Sequence, residues 1–347
     1  MTKAWRGNYL EDFKPGSTLV HATPRTVTEA DAALNIGLTG SRFSLFSSDA
    51  FAQACGLPQA PIDPLLAFHV VFGKTVPDIS LNAVANLGYA QGRFLKLVYP
   101  GDTLSATSEI LGLKENSSGA TGVVWLRSKG VDQMDEAVLD YVRWVMVNKK
   151  NPAEPLGEAK QPHLAPFVAA KDLIIPEGLD FSDYDFALAG EKYTLDDYEV
   201  GECIDHIDGM CVEEAEHQIA TRLYQNTAKV HFNQFEQASG RFGRRLIYGG
   251  VAISIARALS FNGLANAQLM LAINGGKHVN PLFAGDTVFA WSEILAKEVI
   301  RPGVGALRIR LVATKNQPCA EFPSKDASAK PEATTILDFD YWAAIPA

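Results

Sequence analysis

At 347 residues, 47% apolar and 20% charged, the chain has the size and make-up of a soluble globular protein with room for two domains. A net charge of −9 without any Lys/Arg run argues against a nucleic-acid partner, and apolar stretches that soon break argue against a membrane span. Residues 1–16 lack the apolar core of a secretory signal, and Cys55, Cys203, Cys211 and Cys319 form no CxxC pair and have no His at metal spacing, so reduced thiols in a cytoplasmic protein are expected.

In chain order, prolines at 58, 61 and 64 lead into a helical stretch over 64–75, PLLAFHVVFGKT. Proline suits a first helical turn, where its missing N–H costs nothing, and a helix apolar nearly all round should be buried. Strand patterns follow over 103–113, 121–128 and 137–147, parted by the loops KENSSG (114–119) and KGVDQMD (129–135), and read as an antiparallel meander. Residues 151–177 carry five prolines and no clean periodicity, which predicts a semi-extended linker on the surface. The plan then recurs: a buried helix over 248–261 and strands over 287–296, 306–314 and 334–342. The polar, proline-bearing stretch 315–333 reads as a mobile hairpin loop.

The recurrence is written in the residues. YPGDTLSATSEI (99–110) answers FAGDTVFAWSEI (283–294), with Asp102 and Asp286 set 184 residues apart. Upstream, YLEDFKPG (9–16) resembles YTLDDYEVG (193–201), and His21, Val27, Glu29 and Leu38 match His206, Val212, Glu214 and Leu223 at an offset of 185. A long repeat of this kind fixes the architecture before any single residue is weighed. One buried helix wrapped by an antiparallel sheet, present twice, is an α+β tandem (double) hotdog. The expected layout is an N-terminal hotdog over 1–150, a Pro-rich linker over 151–190 and a C-terminal hotdog over 191–347. Since hotdog units pair sheet to sheet, the halves should pair with each other, and a homo-oligomer is compatible with the plan.

The chain resembles the MaoC-like hydratase/dehydratases, and within them the fused double-hotdog enzymes acting on mesaconyl-CoA (2-methylfumaryl-CoA). The resemblance covers most of the chain. It rests on the Gly-Asp-Thr turns, a fold-level signal, and more specifically on ATRLYQNTAKVHF (220–232) and LIYGG (246–250). It implies a hydro-lyase that reversibly hydrates mesaconyl-CoA to β-methylmalyl-CoA, with the acyl-CoA as partner. A hotdog thioesterase and a non-catalytic acyl-CoA-binding protein are the alternatives. No metal or redox cofactor is implied, because there is no ligand cluster and no Gly-rich dinucleotide loop.

Family members carry Gly-Asp-x-Asn-Pro-(Ile/Leu)-His, whose Asp and His hold and deprotonate water. The resemblance places His231 on the histidine and Asn226 on the aspartate, which is a departure. In the first copy the same positions are Ser41 and Phe46. Phenylalanine accepts no proton, so the first copy should be silent. Water addition to an enoyl thioester needs a base, donors for the enolate-like oxygen and an acid for the α-carbon, and histidine suits the proton work near neutral pH. His231 is therefore the expected acid/base and Asn226 the water-orienting partner. Glu213, Glu214, Glu216, Glu236 or the substrate's own second carboxylate could assist.

The family's oxyanion glycine falls on Gly249-Gly250, at the start of the second buried helix, with Gly250 the main donor; the first copy has Pro64-Leu65 there. Tyr248, Gly249, Arg222 and Arg245 are the expected substrate-binding residues, the arginines because a dicarboxylyl-CoA needs cations. His21 and His206 recur in both copies and read as structural. His69 reads as a core residue of the silent half, and His217 and His278 have no motif support.

Overall fold

The two Gly-Asp-Thr turns have the same construction. Gly101 and Gly285 take φ of +104° and +92°, a left-handed conformation that favours glycine. Each donates its N–H to a valine carbonyl (Val27, 2.8 Å; Val212, 2.9 Å), and each valine N–H returns to the aspartate carbonyl, Asp102 or Asp286. The Asp side chains accept the N–H of Tyr99 (2.8 Å) and Phe283 (3.0 Å), closing the turn ahead of the strand.

The computed structural model describes residues 3–325 and 328–347. The first half comprises β1 (Thr18–Val20), β2 (Arg25–Thr26), a helix Glu29–Thr39, a core helix Pro64–Ile79, and the strands β3 (Ala83–Phe94), β4 (Thr103–Glu115), β5 (Thr121–Val131) and β6 (Ala137–Asn148). The second half repeats it with β7 (Cys203–Cys211), a helix Glu214–Leu223, a core helix Gly249–Leu259, β8 (Leu269–His278), β9 (Thr287–Arg301), β10 (Val304–Lys315) and β11 (Thr335–Pro346). All eleven strands form one sheet in the order β1-β4-β5-β6-β3-β8-β11-β10-β9-β7, with β2 also on β4. The halves join edge to edge through antiparallel β3 and β8, with Tyr89 opposite Gly276 and Arg93 opposite Ala272. The sheet-to-sheet pairing expected of the two halves is thus made within the chain.

Both core helices feed a single apolar core that includes Phe68, Phe72, Tyr89, Tyr224, Tyr248 and Ile253. Gly73 of the first core helix lies so close to the Tyr224 carbonyl, at the end of the helix Glu214–Leu223, that a Cβ there would come within 1.8 Å of its oxygen. The repeated histidines are structural, as expected. His21 Nδ1 donates to Asp78 (2.7 Å) and His206 Nδ1 to the Asn262 carbonyl (2.7 Å), while their Nε2 atoms accept from Ser108 and Ser292 (both 2.8 Å).

The linker lies at the surface over most of 151–177, as expected, with Val168 and Leu173 the buried residues in it; these and Leu179, Phe181, Tyr184 and Ala189 pack with Phe43, Phe46, Leu269 and Trp342 in a second apolar cluster. Trp342 Nε1–H donates to the Val168 carbonyl (2.9 Å), and Asn274 accepts the Val168 N–H (2.8 Å). From Val168 to Ala189 the chain is thus a strap packed at intervals. In the 315–333 stretch, Cys319 is buried and Trp291 Nε1–H bonds the Pro323 carbonyl (3.0 Å), while residues 326–327 lie outside the described ones. Among the described residues no helix is long and apolar enough to cross a membrane, and no group of three or more His, Cys, Asp or Glu is placed to hold a metal ion.

Candidate active site

The second-half helix Glu214–Leu223 ends on a turn whose Gln225 takes φ +53°, matching Gly40 (φ +69°) in the first half. A one-turn helix, Lys229–Phe232, follows and carries His231. Three bonds hold that histidine. Gln218 donates to its carbonyl (3.0 Å), Leu246 N–H donates to the neighbouring Val230 carbonyl (3.0 Å), and His231 Nδ1 bonds the Leu246 carbonyl (3.0 Å). A carbonyl accepts only, so Nδ1 carries the proton and Nε2 keeps its lone pair. Nε2 has no hydrogen-bond partner among the described residues and is not sealed from solvent. Burial lowers the imidazole pKa to about 4, with the Leu246 bond pulling the other way, so His231 is a neutral base at pH 7.

Beside it starts the second core helix. Tyr248 precedes it, ring to ring with His231 at 5.4 Å. Its N–H is taken by His217 Nε2 (2.9 Å). The next two N–H groups, of Gly249 and Gly250, have no acceptor among the described residues. Helix starts leave such donors free, and the helix dipole adds to their pull on negative charge. Side chains are excluded here: a Cβ on Gly250 would meet the Tyr248 ring at 2.4 Å and His69 at 2.6 Å. The first half differs at each point. Pro64 has no N–H, and the Leu65 N–H is taken by Asp63 Oδ1 (2.8 Å), the residue opposite Tyr248. Phe46 is buried in the strap cluster.

The structure therefore brings His231, Tyr248, Gly249 and Gly250 together, and treats the other expected residues differently. Asn226 is 4% exposed, and its Oδ1 accepts the Ala228 N–H (3.0 Å) while its Nδ2 is buried without a partner. That oxygen helps to shape the turn and, as an amide oxygen, keeps a second lone pair. Arg245 is ion-paired with Glu214 and its Nη1 donates to the Phe232 carbonyl (3.4 Å), so it fastens the loop. Arg222 is exposed, and its guanidinium makes no hydrogen bond or ion pair among the described residues. Glu213, Glu214, Glu216 and Glu236 are all exposed, and Glu236 pairs with Lys229. None of them is among the groups that shift His231.

Three histidines surround the site that motif reasoning set aside. His217 holds the Tyr248 N–H, and His69 reaches across from the first core helix to Ser254 (2.8 Å). His278, at the end of β8, lies against Gly249. Burial is the main reason that all three have lowered pKa values: about 3 for His69 and His217, and about 4 for His278. One signal was available for His278. The offset of 184 sets it opposite Phe94, the same contrast that marks His231.

Two hotdog halves in one continuous sheet define the class: a double-hotdog MaoC-like hydratase/dehydratase. A crystal structure of a MaoC domain protein dehydratase from Chloroflexus aurantiacus matches with a TM-score of 0.98 at 59% identity, covering 100% of this chain and 99% of that one. A Mycobacterium tuberculosis protein described as a double hotdog matches at 0.75 and 25% identity, over 98% of this chain and 99% of that one. The chain belongs to the mesaconyl-CoA hydratase family, whose model matches residues 2–320. It is 60% identical over 342 residues to the beta-methylmalyl-CoA dehydratase of Chloroflexus aurantiacus, covering 98% of this chain and 97% of the relative. It is also 60% identical over 341 residues to the mesaconyl-CoA hydratase of Cereibacter sphaeroides, covering 98% of each.

Proposed function

We propose that the protein reversibly adds water across the carbon–carbon double bond of mesaconyl-CoA, giving β-methylmalyl-CoA. It is a hydro-lyase of the enoyl-CoA hydratase type. His231 Nε2 takes one proton from water, and the water oxygen bonds to the β-carbon. The displaced electron pair moves through the α-carbon to the thioester oxygen, where the Gly249 and Gly250 N–H groups receive the charge. His231 then returns its proton to the α-carbon and the carbonyl re-forms. A base whose pKa is lowered to about 4 is a strong acid once loaded, so one imidazole serves both steps.

The observation that carries this reading is the pairing of a tautomer-fixed His231 with two unoccupied N–H groups at the adjacent helix start. Asn226 shapes the turn beneath His231, and Tyr248 packs against the imidazole. The four free cysteines fit a cytoplasmic setting.

Mixing the protein with mesaconyl-CoA should bleach the enoyl absorbance without releasing thiol. Stoichiometric thiol release would instead mean a thioesterase, and binding without turnover a carrier. His231→Ala should lower kcat by roughly 10²–10⁴-fold; a variant as fast as the parent would remove His231 from the mechanism.

A further inference from the structure

The duplicated start of the core helix carries one more difference than the glycines. Without a gap, Arg93-Phe94-Leu95 lies opposite Lys277-His278-Val279. The backbone confirms the equivalence. Leu95 N–H bonds the Val138 carbonyl and Val279 N–H the Ile336 carbonyl, while Ile62 N–H bonds Val98 and Ile247 N–H bonds Leu282. In the first half this place is an apolar groove lined by Ile62, Pro64, Phe94 and Val98. In the second half a hydrogen-bonding ring occupies it.

The edge of that ring faces Gly249. A Cβ on Gly249 would lie 2.4 Å from His278 Cε1, 2.5 Å from Nε2 and 2.7 Å from Nδ1. His278 Nε2 is 3.5 Å from the Tyr89 hydroxyl, which β3 of the other half delivers across the seam. Burial raises the Tyr89 pKa, so the phenol keeps its proton and can donate it to Nε2. With Tyr89 donating, Nδ1 carries the imidazole proton. It has no partner among the described residues, yet it is not sealed in the interior. The titratable groups facing the ring are His231, His69 and Tyr89. None carries a negative charge near neutral pH, and burial keeps His278 itself uncharged.

Building on the hydration reading above, we propose that His278 is a third oxyanion donor, its neutral Nδ1–H joining the Gly249 and Gly250 N–H groups on the thioester oxygen. Its proton is not transferred; it stays on Nδ1 throughout. The silent half has lost all three donors at once. Pro64 has no N–H, the Leu65 N–H is capped by Asp63, and Phe94 has nothing to donate. That joint loss is what one shared task predicts and what three unrelated packing roles do not. A neutral imidazole suits the task, because it polarises a carbonyl without surrendering its proton.

The test uses the full chain and 2-methylsuccinyl-CoA labelled with ¹³C at the thioester carbonyl, a saturated probe that cannot be hydrated. Bound to the parent protein, its C=O stretch should move to lower frequency. In His278→Phe the shift should shrink and kcat for mesaconyl-CoA should drop by about 10²–10³-fold, the cost of one oxyanion donor, with KM within a few-fold. His278→Asn keeps an N–H at the site and should recover part of both. His278→Leu, which likewise has nothing to donate, stands in should the phenylalanine variant fail to fold. A parent-like rate or a full carbonyl shift in His278→Phe or His278→Leu overturns the proposal. A parent protein that polarises the probe but hydrates no mesaconyl-CoA sinks the hydration reading and leaves the donor assignment standing. A parent protein that hydrates mesaconyl-CoA but binds the probe without a shift overturns the donor assignment, the two glycines included, and leaves hydration itself standing.

Discussion

At the scale of single residues, the site depends on keeping imidazoles neutral. His231 is half-buried and donates Nδ1–H to a backbone carbonyl, and no carboxylate near it stabilises the charged ring. Protonation therefore costs desolvation with little return, and its pKa falls from 6.5 to about 4. The sign follows directly. Lowering the pH removes activity only once Nε2 is protonated, so kcat/KM should stay level from pH 8 to about 5 and fall near pH 4. An acid limb centred near 6.5 would show that the imidazole is solvated in the free enzyme. His217 and His69 act one step back, since one fixes the Tyr248 backbone and the other packs where Gly250 leaves room.

At the scale of elements, the turn before His231 is set by packing from the other half. Gly73 touches the Tyr224 carbonyl, one residue before the left-handed Gln225 and two before Asn226. Gly73→Ala places a methyl against backbone that cannot yield as a side chain would, and should cost about 1–3 kcal/mol of stability. Because Tyr224 leads into the turn, kcat should also drop by several-fold in the folded fraction. Thermal unfolding together with single-turnover rates would check both, and a variant matching the parent in both would refute the coupling.

Much at this scale was legible in the sequence. The strand expected over 121–128 is observed as Thr121–Val131, that over 306–314 as Val304–Lys315, and the helix over 64–75 extends to Ile79. The two strands that join the halves, β3 and β8, were not foreseen. Asn274-Gly275-Gly276 imitates a turn, and β3 lacks clean alternation because it is bulged against β6 and lies between two partner strands. The missed strands are also those that deliver Tyr89 and His278. The linker over 151–177 is largely exposed as read, and only its anchors at Val168 and Leu173 were not visible, because single apolar residues in irregular backbone carry no periodicity.

At the scale of the whole molecule, the halves are not separable. The β3–β8 seam is internal to the sheet, the core is continuous through both helices, and His69 and Tyr89 of the first half reach the site of the second. A fragment of residues 191–347 would expose the β8 edge and much of that core. It should be aggregated or partly unfolded, with no measurable hydration, by size-exclusion chromatography, circular dichroism and activity assay. A monomeric, active fragment would contradict this.

What the sequence determined by itself was the duplication and the hotdog plan, because these follow from periodicity and from the match between aligned copies. What only the tertiary structure decided was the make-up of the site. Asn226 accepts a bond from Ala228, Arg245 pairs with Glu214, and the exposed glutamates are not among the groups that shift His231. His69, His217 and His278, distant from one another along the chain, were gathered around two glycines. Such groupings depend on which backbone segments pack within a few ångströms, and only the continuous sheet and the meeting of the two core helices at His69 and Ser254 fix that.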